Sequence, residues 1–157
     1  ETVTVNVIGT FNMARAAVEY FRSQNGGKIL NISTSLRNFS FANNSPYGVT
    51  KTALESQTLI WAAECEAENI MINSICPGGA VDSDLSRPDR ESRKLQPVDI
   101  MDPLAVWLAS EHSNGVTGCR FNAKFWDPSV NFNQAARGAR EEPVFALQPE
   151  GRFSVLD

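Results

Sequence analysis

Histidine is nearly absent from this chain: His112 is the only one among 157 residues. A histidine-based metal site or a Ser-His-Asp triad would have to rest on that side chain alone. Its setting, beside the turn-like Ser113-Asn114-Gly115, suggests the surface. Cysteine is also scarce. Cys65, Cys76 and Cys119 are odd in number and far apart, and no CxxC pair offers zinc or redox chemistry. They read as reduced thiols of a cytoplasmic protein, with Cys76 and Cys119 as small buried apolar residues. No run of roughly 18 apolar residues occurs, so no segment reads as spanning a membrane. Strong charge of one sign is missing too, since 14 basic and 18 acidic side chains leave a net −4. So weak a negative field argues against a nucleic-acid partner held through phosphates. No initiator Met precedes Glu1-Thr2-Val3, and no basic segment leads into an apolar run as in a signal peptide. The helical pattern starts almost at residue 1, which reads as a chain cut inside a helix.

What is present suits a folded domain. Hydrophobic residues make up 42% and charged residues 20%, both ordinary proportions, and the length fits about one domain. Val7, Phe11, Ala14, Val18 and Phe21 form one apolar helical stripe. Asn25-Gly26-Gly27 stops that helix. Lys28 to Ser33 is short and β-prone, and residues 34–46 read as a loop. Ser45-Pro46 predicts a helix start, with Ser as cap and Pro in the first turn. This helix is expected to reach about Glu68, with Leu54, Thr58, Trp61 and Cys65 on its inner face. Ile70 to Cys76 is a second apolar strand, closed by Pro77-Gly78-Gly79. The charged run from Asp82 to Lys94 reads as a solvated loop or a lid over a substrate. Asp102-Pro103 opens a third helix, with Leu104, Trp107 and Leu108 on its face. Cys119 to Ala123 is a third strand, and the rest, from Trp126, reads as a polar tail.

Strands alternating with helices imply parallel strands joined by right-handed crossovers. The expected fold is therefore α/β: a Rossmann-like parallel sheet of about three strands with flanking helices. The reading assigns residues 1–126 to this unit and 127–157 to the tail. So thin a parallel sheet reads as half of something larger.

The chemistry centres on Tyr47-Gly48-Val49-Thr50-Lys51. Tyr and Lys at i and i+4 share a helix face. A free tyrosine, with a pKa of about 10, is a poor acid or base near neutrality. A nearby ammonium favours the phenolate, and a tyrosine tuned in this way can exchange a proton with an alcohol oxygen. The strand before this motif ends Asn31-Ile32-Ser33-Thr34-Ser35, and the strand after it ends Pro77-Gly78-Gly79. Ligands of open α/β sheets bind at the C-terminal ends of the strands. Phe39 and Phe41 either line a substrate pocket or pack under the loop.

Taken in order, Asn6-Val7-Ile8-Gly9, Gly27 through Thr34, Tyr47 through Lys51, Asn73 through Gly78 and Thr117-Gly118 resemble the classical short-chain dehydrogenase/reductase family over roughly residues 2–126. The resemblance implies an NAD- or NADP-dependent oxidoreductase acting on a small alcohol or carbonyl compound, with hydride moving to or from the nicotinamide. Tyr47 would be the acid/base. Lys51 would assist it and hold the nicotinamide ribose, and Asn6 would anchor a water in a proton relay. Pro77 and Gly78 would lie beside the nicotinamide, Val81 would meet its carboxamide, and Ser83 would contact an amide or phosphate. No metal is implied. A homo-oligomer, dimer or tetramer, is, because relatives pair their corresponding helices.

Three departures stand out. The catalytic hydroxyl, thirteen residues before the tyrosine, falls on Thr34 rather than serine, with Ser33 and Ser35 as alternatives. The segment after Pro77-Gly78 is one residue longer than the common pattern. The glycine-rich turn that cradles the pyrophosphate is absent from these residues. Two further readings follow: a catalytically inactive fragment, or the epimerase/dehydratase relatives that share YxxxK. The Pro-Gly after a short strand favours the classical type.

Overall fold

Seven consecutive residues, Ile70–Cys76, are buried along their whole length. That pattern belongs to a central parallel strand covered on both faces. The computed structural model describes residues 1–84 and 94–145, and this strand, β2, is its axis. β1 (Gly27–Ile32) and β3 (Arg120–Asn122) flank it, both parallel to it. In the β1/β2 register Gly27 faces Ile70 and Ile32 faces Ile75. A short fourth strand, β4 (Arg140–Glu141), pairs antiparallel with β3, so the order is β1-β2-β3-β4.

Helices cover both faces, as the alternation predicted. α1 (Thr10–Ser23) and α2 (Tyr47–Glu64) lie over one of them. There Ala62 and Cys65 meet Ile70 and Ile72, with Val18, Phe21 and Trp61 packed around them. α3 (Asp102–Ala109) and α4 (Phe132–Ala139) lie over the other. Leu104, Trp107, Leu108, Ala136 and Ala139 enclose Ile75 and Phe121 on that side. The Phe121 and Trp107 rings meet edge to face at 6.2 Å.

Three expectations are corrected. The sheet is mixed and has a fourth strand, because the segment read as a polar tail supplies α4 and β4. The Asn131 side chain accepts the Gln134 N–H at 3.0 Å and caps α4. Second, α2 ends at Glu64 and not near Glu68, since a 3-10 turn over Glu66–Glu68 follows and Asn69 is left-handed at φ 56°. Third, Ser45 does not cap α2 with its side chain; Pro46 holds the N-cap position. The first helical stripe is only thinly covered. Ala14 alone is buried on it, while Phe11 is 43% exposed. Residues Thr4–Gly9 form a π-helical turn ahead of α1. The Thr10 hydroxyl donates to the carbonyls of Asn6 and Val7, a back-bond that bends helices. Most of the charged run read as a lid, residues 85–93, lies outside the described residues. No helix among the described residues is long and apolar enough to cross a membrane.

His112 is exposed, as read, and all three cysteines are free and buried. Burial pushes the Cys76 thiol up from 9.0 to about 11. Because the folded value exceeds the unfolded one, this thiol's contribution to stability is full below pH 9 and is lost towards pH 11. A disulfide-exchange reagent at pH 8 is therefore expected to find the three thiols protected until the chain unfolds. Truncating Phe121, only 2% exposed, to Ala is expected to cost about 3–5 kcal/mol. A lower urea midpoint at unchanged slope would register that loss.

Candidate active site

β1 and β2 end side by side: the Ser33 N–H donates to the Ile75 carbonyl at 2.8 Å. The three hydroxyls at the end of β1 then diverge. Ser33 is buried and its Oγ accepts from the Arg120 guanidinium at 3.3 Å. Thr34 is buried too, and its Oγ1 accepts from the Asn38 amide at 2.7 Å. Ser35 is half-buried and begins the 3-10 turn Leu36–Phe39. Arg120 also donates to the Thr34 carbonyl at 2.6 Å and lies over the Phe39 ring at 5.5 Å. Phe39 thus packs beneath the loop, whereas Phe41 is 49% exposed.

α2 begins where this loop returns. Tyr47 and Lys51 occupy its first turns, both half-buried, with the Lys51 ammonium 6.0 Å from the Tyr47 ring centre. Lys51 Nζ donates to the Ile32 carbonyl at 2.7 Å, which ties the helix to the end of β1. Burial lowers its pKa below the usual lysine value, while Glu55 one turn later pulls it the other way. Between them, the Thr50 hydroxyl donates to the Tyr47 carbonyl and accepts from the Asn6 amide at 3.1 Å. Asn6 sits in the π-helical turn, a distortion often found at functional sites. Deeper along the helix, Asn31 donates to Thr58 at 2.8 Å.

The exit from β2 forms the other wall. Pro77 and Gly78 are half-buried. Gly78 has φ +76°, and a Cβ there would lie 2.2 Å from Asn122 Oδ1, so only glycine fits. Val81 bridges to Gln96, and the Asp82 N–H donates to the Gln96 carbonyl at 2.8 Å. Ser83 follows, its N–H donating to the Val81 carbonyl at 2.8 Å. A cavity of about 420 Å³ opens between the 36–41 turn and this exit, lined by Arg37, Asn38, Phe41, Ala80 and Lys94. A second cavity, about 380 Å³ between α1 and α2, includes none of the candidate residues in its lining.

The short chain dehydrogenase family profile matches residues 1–94, well over half of the chain. The chain belongs to the short-chain dehydrogenase/reductase family. It is 30% identical over 136 residues to the "Inactive 2-(S)-hydroxypropyl-CoM dehydrogenase 2" of Xanthobacter autotrophicus, covering 76% of this chain and 59% of that one. It is 31% identical over 129 residues to glucose 1-dehydrogenase 2 of Bacillus subtilis, covering 74% and 50%. Among solved structures, a gluconate 5-dehydrogenase from Burkholderia cenocepacia, in complex with NADP and tartrate, superposes with a TM-score of 0.68 at 25% identity. That match covers 77% of this chain and 53% of the other. The chain thus spans about half the length of the curated relatives it matches.

In this short-chain dehydrogenase/reductase chain, Asn6 is linked to Tyr47 through Thr50, Lys51 lies near the Tyr47 ring, and Lys51 bonds the strand that leads to Thr34. Pro77, Gly78, Val81 and Ser83 form the adjoining wall, at the exit from β2. Sequence reasoning missed Arg120, Glu55, Asn38 and Glu141. Arg120 left a signal, a lone charge between Cys119 and Phe121 in a strand that must be buried. Glu55 left one too, beside Leu54 on the inner face of α2. Asn38 and Glu141 left none.

Gly48 fixes how closely the loop approaches α2. A Cβ there would lie 2.5 Å from the Asn38 carbonyl oxygen, which also accepts from the Asn44 amide. Gly48→Ala is expected to push the 36–39 turn away and lower the thermal midpoint by several degrees, on the order of 1–3 kcal/mol. An unchanged midpoint would show that the turn yields freely.

Proposed function

We propose that this chain forms the catalytic part of an NAD- or NADP-dependent dehydrogenase/reductase that interconverts a small alcohol and its carbonyl compound. The observation that carries the reading is the Lys51–Ile32 bond, which fixes Lys51 beside Tyr47 at the end of the strand leading to Thr34. A bound nicotinamide would supply the hydride for reduction in its reduced form and accept it during oxidation in its oxidised form. The residues suit such a group. Lys51 spends one of its three donors on Ile32 and keeps others for ribose hydroxyls. The β2 exit offers a glycine at φ +76° where backbone can approach a ligand closely.

Tyr47 then gives a proton to the substrate oxygen during reduction and takes one during oxidation. The Thr34 hydroxyl donates to the same oxygen, with Asn38 steering it by donating to Oγ1. Asn6 holds Thr50 and thereby the first turn of α2, and it stands ready to bind a relay water. Ser35 is the alternative hydroxyl. Pro77, Gly78, Val81 and Ser83 border the nicotinamide. We further propose a homo-oligomer, supported by exposed apolar side chains on α1 and α2, among them Met13, Tyr20 and Ile60. A cytoplasmic setting fits the free thiols.

Titration of NADH and NADPH into the purified protein, followed by nicotinamide fluorescence, tests the reading. Saturable binding of one dinucleotide is expected, weakened about tenfold in Lys51→Ala. Tyr47→Phe is expected to keep binding while losing turnover by about 10²-fold or more. A folded protein that binds neither dinucleotide would overturn the proposal.

A further inference from the structure

Among the described residues, the cavity lined by Asn38 carries two cations and no carboxylate. Its described lining is Arg37, Asn38, Phe41, Ala80 and Lys94. Among the described residues, neither Arg37 nor Lys94 has an ion-pair or side-chain hydrogen-bond partner. The buried guanidinium among the described residues, Arg120, is by contrast matched to the carboxylates of Glu55 and Glu141. Arg37 is also restrained. Its guanidinium lies over the Phe41 ring, 5.0 Å from the centre, a contact that orients the group before a ligand arrives.

Asn38 connects this cavity to the chemistry. It lines the cavity and donates at 2.7 Å to the Thr34 hydroxyl. A molecule seated there would meet Asn38, which donates to the Thr34 hydroxyl, and the two cations Arg37 and Lys94. The volume, about 420 Å³, suits a small organic ligand. A planar guanidinium is the natural partner of a carboxylate, which it binds with two parallel hydrogen bonds.

We propose that the substrate of this site is an organic acid, a hydroxy or oxo compound whose carboxylate is received by Arg37 with support from Lys94. The inference rests on the dehydrogenase reading above and adds to it the charge of the substrate. Phe41 contributes an apolar wall for the carbon skeleton between the reacting oxygen and the carboxylate.

The test is the binding of small oxo acids to the complex of the purified protein with whichever dinucleotide it takes. Acetoacetate, 2-oxobutyrate and 3-oxooctanoate are each compared with the matching neutral primary amide, using the change in nicotinamide fluorescence. At least one acid is expected to bind about tenfold more tightly than its amide, the worth of one charge-assisted hydrogen bond. Arg37→Gln is expected to abolish that gap while leaving dinucleotide affinity unchanged. Lys94→Gln is expected to narrow it. Equal binding of acids and amides overturns the proposal, as does a gap that survives in Arg37→Gln. A loss of dinucleotide affinity in Arg37→Gln also overturns it, because the cations would then serve the cofactor's phosphates. If the unaltered protein binds no dinucleotide, the dehydrogenase reading fails first and this inference falls with it.

Discussion

The buried guanidinium of Arg120, 2% exposed, is the constraint on which the remaining geometry depends. It reaches four parts of the chain from β3. On α2 it pairs with Glu55, on β4 with Glu141 at 2.8 Å, at the end of β1 with Ser33 and the Thr34 carbonyl, and on β2 with Cys76. A charge so deep costs several kcal/mol in lost hydration unless it is fully paired. Here the pairing is complete. The second oxygen of Glu55 accepts from Ser74 at 2.9 Å, and that of Glu141 accepts from Asn122 at 2.7 Å. Every carboxylate oxygen has a donor, so the network tolerates one arrangement of its elements and penalises others.

That arrangement sets the site. The β1 exit must present its carbonyl to Arg120, and this fixes the direction in which Thr34 leaves the strand. α2 must bring Glu55 to the same guanidinium. Lys51, one turn earlier, then reaches the Ile32 carbonyl, and Tyr47, another turn earlier, comes to stand beside the loop that carries Thr34. Tyr47 with Lys51 and the Thr34 hydroxyl sit on different elements separated by a loop. Their relative placement is inherited from a buried ion pair two helical turns below the tyrosine. Gly48 and Gly78 let the two walls close in, because each occupies a place where a Cβ would collide with a neighbour.

The sequence made the periodic parts plain. Ile70 to Cys76 could be recognised because a central parallel strand is apolar throughout, and Tyr47 with Lys51 because helical spacing forces i and i+4 together. Ser33, Thr34 and Ser35 could be placed at a strand end, but only resemblance ranked them; in the structure the Ser33 hydroxyl accepts from Arg120 and that of Thr34 from Asn38. What escaped did so for physical reasons. α4 buries Ala135, Ala136 and Ala139, side chains too small to stand out as an apolar stripe. Its cap, Asn131, looks like any loop asparagine. β4 contributes only two residues, Arg140 and Glu141, whose charge argues against a strand until Arg120 is seen to need a partner. The π-helical turn at Asn6 breaks the very period by which α1 was detected.

The two arginines nearest the site illustrate how context divides a residue type. Both lie over a phenylalanine, Arg120 over Phe39 and Arg37 over Phe41. Arg120 is enclosed and satisfied by two carboxylates of its own chain, so its charge is spent on holding the fold. Arg37 stands two residues ahead of Phe39 on the same short turn, but on the open side, where no acidic side chain of the described residues answers it. A single turn thus faces inward with a neutralised cation and outward with an unneutralised one. The inward contact ties the turn to the buried ion-pair network, and a turn anchored in that way suits the proposed role of Arg37 in selecting a ligand by charge and position.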